Sequence, residues 1–410
     1  MSIAVICTGT ELLKGSTLNS NLAYLGQSLT SKGINISFAL EAGDKENEIH
    51  AAISAALKRA QTIVISGGLG PTIDDITLES VARFFGLELY KDKELVKKVE
   101  ACWKQFHKSY CPKIQYKQAL VPIGGKIIPN PVGSASGIEI TTSYDNQTRH
   151  IFLVPGPPRE FEPMMDSYVV NRLVELEGDS TVFTLGFLAF GMGESFLSRI
   201  VEPIVGDKDI EIAYTASCEG TKLFLSGKDK ELLTSTLETI RQEIGFQALP
   251  IGETLLAPYV VKQLIDKNIT FCTAESCTGG LIGAQATMIP GVSAVYKGGV
   301  IVYSNELKNK LLDVPCDILE SYGAVSAQTA QFMAEGAVKN LDCQISVAVT
   351  GIAGPGGGTI EKPVGLVYVA GSFKGKTTVK ELRLKGDREN VRARTRACAW
   401  QLILEMLKDA

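Results

Sequence analysis

"ITFCTAESCTGGLIGAQATMI", residues 269–289, sets a short apolar run against a Ser, a Gly pair and a second apolar stretch. "ITFCTAES" reads as a buried strand that delivers Ser276 to its end. Gly279 and Gly280 let the next helix, "LIGAQATMI", start close by. A strand feeding a helix through a tight, small-residue turn is the repeating unit of α/β layer architecture. Ser276 then has two readings, which can coexist. It is a nucleophile beside free N–H groups at a helix start, or it or Thr278 is an N-cap.

The same rhythm runs through the rest of the chain. "IAVICTG" and "QTIVISGG" read as buried strands, and "RHIFLVPGPP" as a strand entering a Pro-rich loop. "NSNLAYLGQSLTSKGI", "ENEIHAAISAALKRA" and "DITLESVARFFG" carry helical spacing, the first and last stopping at Gly. From about residue 175 to 250 the pattern changes to strands "STVFTLGFLAFG" and "IEIAYTASCEGTKLFLSGK" with one helix, "DKELLTSTLETIRQEIG". A third unit follows, with strands "GVIVYS", "CQISVAVTGIAG" and "VGLVYVAGS" and a closing helix "VRARTRACAWQLILEMLKD". The expected fold is therefore α/β: two three-layer α/β/α domains, residues 1–170 and 251–410, joined by a small α+β module at 175–250.

A serine nucleophile needs a base within hydrogen-bond reach. The chain has only three His, at 50, 107 and 150, none of them in the third unit. "VIVYSNELKNKLL" places Tyr303 and Ser304 at a strand end and Lys308 on the helix that follows. A Lys serves as base only where desolvation or nearby positive charge lowers its pKa. A Ser–Lys pair assisted by a Tyr hydroxyl is a variant of the serine-nucleophile arrangement. The bland reading of Lys308 is a solvated surface lysine, and Ser304 competes with Ser276 as nucleophile. Cys277 has no activating cation beside it and reads as a packing residue. The loop "TGIAGPGGGTIEKPVG", which contains Gly354, exposes backbone N–H groups to a ligand. It lacks the ending of a Walker loop. In "GDRENVRARTR", Arg388 and Arg392 read either as contacts to an anionic substrate or as a solvated helix face.

In the first domain, "SGGLGPTIDDIT" sets Asp74 and Asp75 at a helix start. Adjacent acids hold a hard divalent cation or cap the helix, and capping is the commoner outcome. Thr10, Glu11, Asn19, Asp44 and Glu160 sit on other strand-end loops. Such loops meet at one edge of an α/β sheet, where sites of this class lie.

Composition narrows the function. A chain of 410 residues, 45% hydrophobic and 21% charged, is ordinary for a globular protein. A net charge of −4 argues against bulk binding to nucleic acid or an anionic membrane surface. No stretch reaches the roughly 18 apolar residues of a membrane span. The N-terminus reads as a first strand rather than a signal peptide. Nine Cys without a C-x-x-C pair suit free thiols in a reducing cytoplasm.

Six segments, in order, carry a family resemblance: "TAESCTGGLIGAQAT", "GGVIVYSNELKNKLL", "GAVSAQTA", "VAVTGIAGPGGG", "KPVGLVYVA" and "GDRENVRARTR". From about Thr254 onward the chain resembles the C-terminal CinA domain, the PncC-type amidohydrolases. "GTELLKG", "GGLGPTIDDIT", "NPVGSASG" and "PGPPREF" resemble the N-terminal CinA domain over roughly residues 3–170. That domain shares its fold with molybdopterin-binding proteins of the MoaB and MogA kind. "GMGES" matches the family's linking module, for which spacing and dimer contact are expected.

The resemblance implies hydrolytic deamidation of nicotinamide mononucleotide to nicotinic acid mononucleotide and ammonia, without a cofactor. Ser276 would be the nucleophile, Lys308 its base and Tyr303 an assisting hydroxyl. Substrate contacts are expected from Thr278, Gly279, Gly354, Arg388 and Arg392. The first domain would hydrolyse ADP-ribose with a divalent metal and potassium, metal and water falling to Asp74, Asp75, Glu11 and Asp44, and substrate to Gly68, Gly70 and Thr72. The alternatives are a nucleotide- or pterin-binding first domain without turnover, and an accessory factor for DNA uptake or repair. A cytoplasmic homodimer with small-molecule nucleotide substrates, and neither nucleic acid nor membrane as partner, completes the expectation.

Overall fold

The computed structural model describes residues 2–30, 32–107, 109–177 and 182–409. The chain divides into two units, residues 1–184 and 185–410.

The first unit contains β1 (Ile3–Thr8), β2 (Ile36–Ala42), β3 (Thr62–Ser66), β4 (Leu89–Lys91), β5 (Leu120–Pro122), β6 (Lys126–Ile128), β7 (Gly137–Tyr144) and β8 (Gln147–Val154). Its main sheet runs β2-β1-β3-β8-β7-β6, and β4 pairs with β5 separately. The first four strands of that order are parallel, and β7 and β6 close it antiparallel. β1 and β3 are buried at every residue, because a parallel sheet covered on both faces needs apolar side chains on both. Their alternate residues feed two separate cores. Ile3, Val5 and Val64 pack with Leu25 and Leu29 of the helix Ser20–Thr30. Ala4, Ile6, Ile63 and Ile65 pack with Ile49 and Ile53 of the helix Glu46–Leu57. The result is a three-layer α/β/α arrangement. Parallel pairing puts the ends of β1, β3 and β8 on one edge, so the loops after Thr8, Ser66 and Val154 gather there.

The second unit holds β9 (Phe183–Phe190), β10 (Glu211–Ala216) and β11 (Gly220–Gly227) in one small sheet, ordered β10-β11-β9. A second sheet runs β13-β12-β14-β15-β16, from β12 (Phe271–Glu275), β13 (Tyr296–Ile301), β14 (Ile345–Gly351), β15 (Leu366–Phe373) and β16 (Lys376–Arg383). β12 lies between two parallel neighbours. On one face, Phe271, Val347 and Val349 pack against Val260, Leu264, Trp400 and Ile403 from the helices Leu256–Asp266 and Arg388–Met406. On the other, Cys272, Ala274 and Ala348 pack against Leu312, Met333 and Ala337 from the helices Asn305–Leu312 and Ala327–Asn340. The small module is not a detached spacer. Leu188, Phe190 and Leu249 belong to the same core as Trp400, and the Leu188 N–H donates to Glu253 O at 3.0 Å.

Six strands fall outside the sequence reading: β2, β4, β5, β6, β7 and β16. β7 and β16 each belong to a hairpin whose turn is made with residues of positive φ: Asp145 (51°) and Asn146 (58°) between β7 and β8, Lys374 (51°) and Gly375 (75°) between β15 and β16. Paired positive-φ residues are the mark of a type I′ hairpin turn. The polar end of "GIEITTSY" and the charged "KTTVKELR" hide the alternation that would otherwise identify these two strands.

Phe271 is fully buried, edge-on to Trp400 at 5.7 Å between ring centroids. Phe271→Ala is expected to cost about 3–5 kcal/mol. Denaturant unfolding followed through Trp400 fluorescence, with the chain's other tryptophan, Trp103, replaced by Phe, would show the midpoint fall.

Candidate functional site

The turn after β12 is organised by a carboxylate. Glu275, 1% exposed, accepts the Gly280 N–H at 3.0 Å, the Ile282 N–H at 3.1 Å and the Gly283 N–H at 2.9 Å. These are the orphan donors that begin the helix Leu281–Thr287. Gly279 and Gly280 adopt φ of 62° and 94°, which a side chain would disfavour. The expected cap by Ser276 or Thr278 is therefore not made, and the helix start is not open to an oxyanion, because Glu275 already occupies it. The Ser276 N–H continues the parallel ladder to Val349 O at 3.0 Å. That bond fixes the backbone and leaves the hydroxyl at the strand end.

Lys308 is 1% exposed. Its Nζ lies 3.3 Å from Ser276 Oγ and donates to Val302 O at 2.9 Å and Tyr303 O at 3.1 Å. No carboxylate is among these partners. Burial holds the ammonium below the ordinary lysine value, and Cys277 opposes this only weakly. A neutral amine has two N–H groups and one lone pair. In that neutral form the two carbonyls would take the N–H groups and leave the lone pair for the Ser276 hydroxyl. Ser304 is an exposed N-cap whose Oγ accepts the Leu307 N–H at 3.2 Å. Its competing role as nucleophile is thereby replaced by a structural one.

A cavity of about 170 Å³ opens on this pair, lined by Ser276, Cys277, Tyr303, Lys308, Ala324, Val325, Thr350, Gly351, Ala353 and Arg388. Tyr303 is 65% exposed and meets Lys308 through its carbonyl, not its hydroxyl. Arg388 donates to Gly354 O at 2.7 Å, so the Gly-rich loop and the arginine brace each other at the rim. Arg392 donates to Thr278 O at 2.7 Å and steadies the turn from outside the cavity. Thr278 is fully buried and, with Gly279, Gly354 and Arg392, does not line it. The Cys277 thiol is pushed up to about 11 by burial, which fits the packing role expected of it.

The first unit carries a larger cleft of about 600 Å³ at the gathered strand ends, lined by Glu11, Asp44, Gly68, Gly70, Asp74, Asp75 and Glu160 among others. Asp74 and Asp75 precede the helix Thr77–Phe85 and do not cap it. Both accept from the Thr72 hydroxyl, and Asp75 also accepts the Thr72 N–H at 2.9 Å. Thr72 thus ties the two acids together rather than lining the cleft. Its bond to Asp74 holds that carboxyl below the usual range. Asp44 accepts the Thr10 N–H at 2.8 Å. Glu160 accepts from Asn130, whose amide also bonds Ala135 O at 2.7 Å. Asn19 caps its own helix through the Leu22 N–H and donates to Glu41. Among the described residues no three His, Cys, Asp or Glu side chains form a metal cage. The all-oxygen donor set instead suits a small hard cation held by one or two carboxylates together with ligand phosphates.

Glu275 and Asn130 are the organising residues that the sequence reading leaves out. The signal for Glu275 is an acid just ahead of a Gly pair at a helix start. For Asn130 it is an Asn opening a small-residue loop.

Residues 253–407 match the family described as "CinA C-terminal domain", and residues 4–175 match "Probable molybdopterin binding domain". A relative from Caldicellulosiruptor bescii, named for competence-damage induction, is 38% identical over 421 aligned residues and covers 100% of both chains. The chain belongs to the CinA family. A CinA-like protein of Dictyoglomus turgidum is 37% identical, covering 96% of each chain. Among solved structures, the competence/damage inducible protein CihA of Agrobacterium tumefaciens is 42% identical over 37% of this chain and 93% of that one, with a TM-score of 0.36. Among the described residues of this CinA-family chain no helix is long and apolar enough to cross a membrane.

Native-state labelling with iodoacetamide at neutral pH is expected to modify exposed Cys316 well before Cys277, whose thiol is buried. Peptide mapping reads the order.

Proposed function

We propose that the second unit hydrolyses the carboxamide of nicotinamide mononucleotide, releasing ammonia and nicotinic acid mononucleotide. The observation that carries this reading is the buried Lys308 amine 3.3 Å from Ser276 Oγ with both its remaining positions held by carbonyls. Ser276 Oγ attacks the carboxamide carbon as Lys308 takes the hydroxyl proton. The tetrahedral oxyanion is met by the backbone N–H of Cys277, which follows the nucleophile and lines the cavity. Lys308 returns the proton to the departing nitrogen, and ammonia leaves an acyl-enzyme. Water then attacks the acyl carbon, giving a proton to Lys308, which passes it to Ser276 Oγ as the Oγ–C bond breaks and the carboxylate leaves. Small residues, Ala324, Gly351 and Ala353, leave room for a flat ring beside Ser276. Arg388 at the rim suits the substrate phosphate. Tyr303, half out of the cavity, is placed to contact substrate more than to relay a proton.

Ser276→Ala and Lys308→Met are each expected to lower ammonia release from nicotinamide mononucleotide by roughly 10³-fold or more. Lys308→Arg is not expected to rescue it, since a guanidinium stays charged. Unchanged turnover in either variant would overturn the reading. The sign of the pH dependence follows from the lowered Lys308 value. The amine must be neutral to act, so kcat/KM rises with pH through the folded-state pKa of Lys308, and that limb lies below the ordinary lysine value of about 10.4. Stability moves the same way. Between the lowered folded value and the ordinary unfolded one the unfolded chain binds more protons, so this contribution strengthens as pH rises.

The cleft of the first unit favours a second reading, a site for a nucleotide diphosphate such as ADP-ribose. Asp74 and Asp75 would hold a divalent cation, which supplies charge neutralisation on the diphosphate when bound. Gly68 and Gly70 let the backbone approach the phosphates. A Cβ at Gly70 would overlap the Asp75 carboxylate and one at Gly68 the Thr77 hydroxyl. The expected result is AMP formation from ADP-ribose that needs magnesium, is tested with and without potassium, survives Ser276→Ala and is lost in Asp75→Ala. Tight binding of nucleotide or pterin without product would instead make the first unit a binding module.

A further inference from the structure

Two of the nine cysteines meet inside the second unit. Cys272 lies in β12 and is fully buried, and Cys343 lies in the turn entering β14 and is 9% exposed. Their sulfurs are 2.9 Å apart and both are free thiols. We propose that Cys272 and Cys343 are a modification site, a dithiol that a hydroperoxide converts to a reversible disulfide joining β12 to the turn entering β14.

The geometry carries the proposal. An S–S bond measures about 2.05 Å, so closure asks for less than about 1 Å of movement. The two residues are 71 apart in sequence, but Cys272 lies in β12 and Cys343 in the turn just before its parallel neighbour β14, where the Cys272 Cα is opposite Ser346. Each sulfur is also fixed by a backbone carbonyl, Cys272 against Ala337 O at 3.5 Å and Cys343 against Ile345 O at 3.2 Å. Neither thiol contacts the Ser276–Lys308 pair, so the proposal stands apart from the deamidase reading.

The chemistry balances with one hydroperoxide. The contact with Cys272 holds the Cys343 thiol below its ordinary value, while the same contact and burial hold Cys272 above it. Cys343, the less buried of the two, meets the peroxide first and is the attacking thiol, and Cys272 is the resolving thiol. With hydrogen peroxide, the Cys343 sulfur attacks one oxygen, the O–O bond breaks, and a sulfenic acid and water form. The Cys272 sulfur then attacks the sulfenic sulfur, the S–O bond breaks and a second water leaves. Two thiols have been oxidised and one peroxide reduced. A dithiol such as dithiothreitol reverses the step. The closed loop restricts the unfolded chain and therefore stabilises the folded one.

The test treats the native full-length chain with graded hydrogen peroxide, then denatures, alkylates and maps the peptides. The expected result is a 272–343 cross-linked peptide, two fewer alkylated thiols, and loss of both changes on adding dithiothreitol. The thermal midpoint of the second unit is expected to rise by several degrees when oxidised and to return on reduction. Cys343→Ser should abolish the cross-linked peptide while keeping the reduced protein's midpoint. Should that variant not fold, peptide mapping of the unaltered chain decides the question alone. The proposal is overturned if Cys272 and Cys343 remain alkylatable at peroxide levels that oxidise exposed Cys316. It is equally overturned if Cys343 proceeds to sulfinic acid without cross-linking, or if the cross-link forms only in denaturant.

Discussion

An amine buried without a counter-ion is the constraint on which the second unit turns. Taking a lysine ammonium out of water costs several kcal/mol unless a carboxylate compensates, and the hydrogen bonds of Lys308 reach no carboxylate. The neutral form avoids most of that cost. It is also the only form with a lone pair to offer Ser276. Exclusion of water thus shifts Lys308 toward the neutral form, and in that form the two carbonyls direct its lone pair at Ser276. An imidazole would do the same work through its tautomer. Here the strand end does it through Val302 and Tyr303.

Keeping that geometry depends on groups that never touch a substrate. Glu275 draws three backbone N–H groups into the turn, and Arg392 holds the Thr278 carbonyl from the other side. Because β12 is flanked by parallel strands on both sides, its end cannot shift without breaking two ladders. Ser276 is therefore held by backbone bonds, and its hydroxyl alone remains free to react. The two units share this logic. In each, parallel strands deliver polar residues to one edge, and the cleft of the first unit lies at the ends of β1, β3 and β8 just as the smaller cavity lies at the ends of β12 and β14.

The α/β class, helices such as Glu46–Leu57 and Arg388–Met406, and the Ser276–Lys308 pair were legible in the sequence, whereas the helices Lys93–Phe106 and Ala327–Asn340 were not. Buried parallel strands such as "QTIVIS" announce themselves because both faces need apolar side chains. The absence of a nearby His left Lys308 as the natural base. The strands β2, β4, β5, β6, β7 and β16 were not legible: three of them are only three residues long, and β16, at a sheet edge, carries polar residues that resemble a loop. Nor was the fate of Asp74 and Asp75. Adjacent acids at a helix start suggest capping, yet Thr72 claims both, and a hydroxyl two or three residues upstream gives no period to read.

By itself, the sequence determined which chemistry was available: one strand-end serine, a lysine four residues into the next polar stretch, glycines where the chain must turn, and family membership across its whole length. Only the tertiary structure decided what that chemistry becomes. It placed Lys308 in a dry pocket rather than in water, made Ser304 a cap and Ser276 the free hydroxyl, and moved Arg392 from cavity lining to brace. The physical reason is that desolvation and hydrogen-bond direction depend on neighbours far apart in sequence. Val302, Ser276 and Lys308 come together only when β12 and β13 pair and the helix Asn305–Leu312 packs back on the sheet.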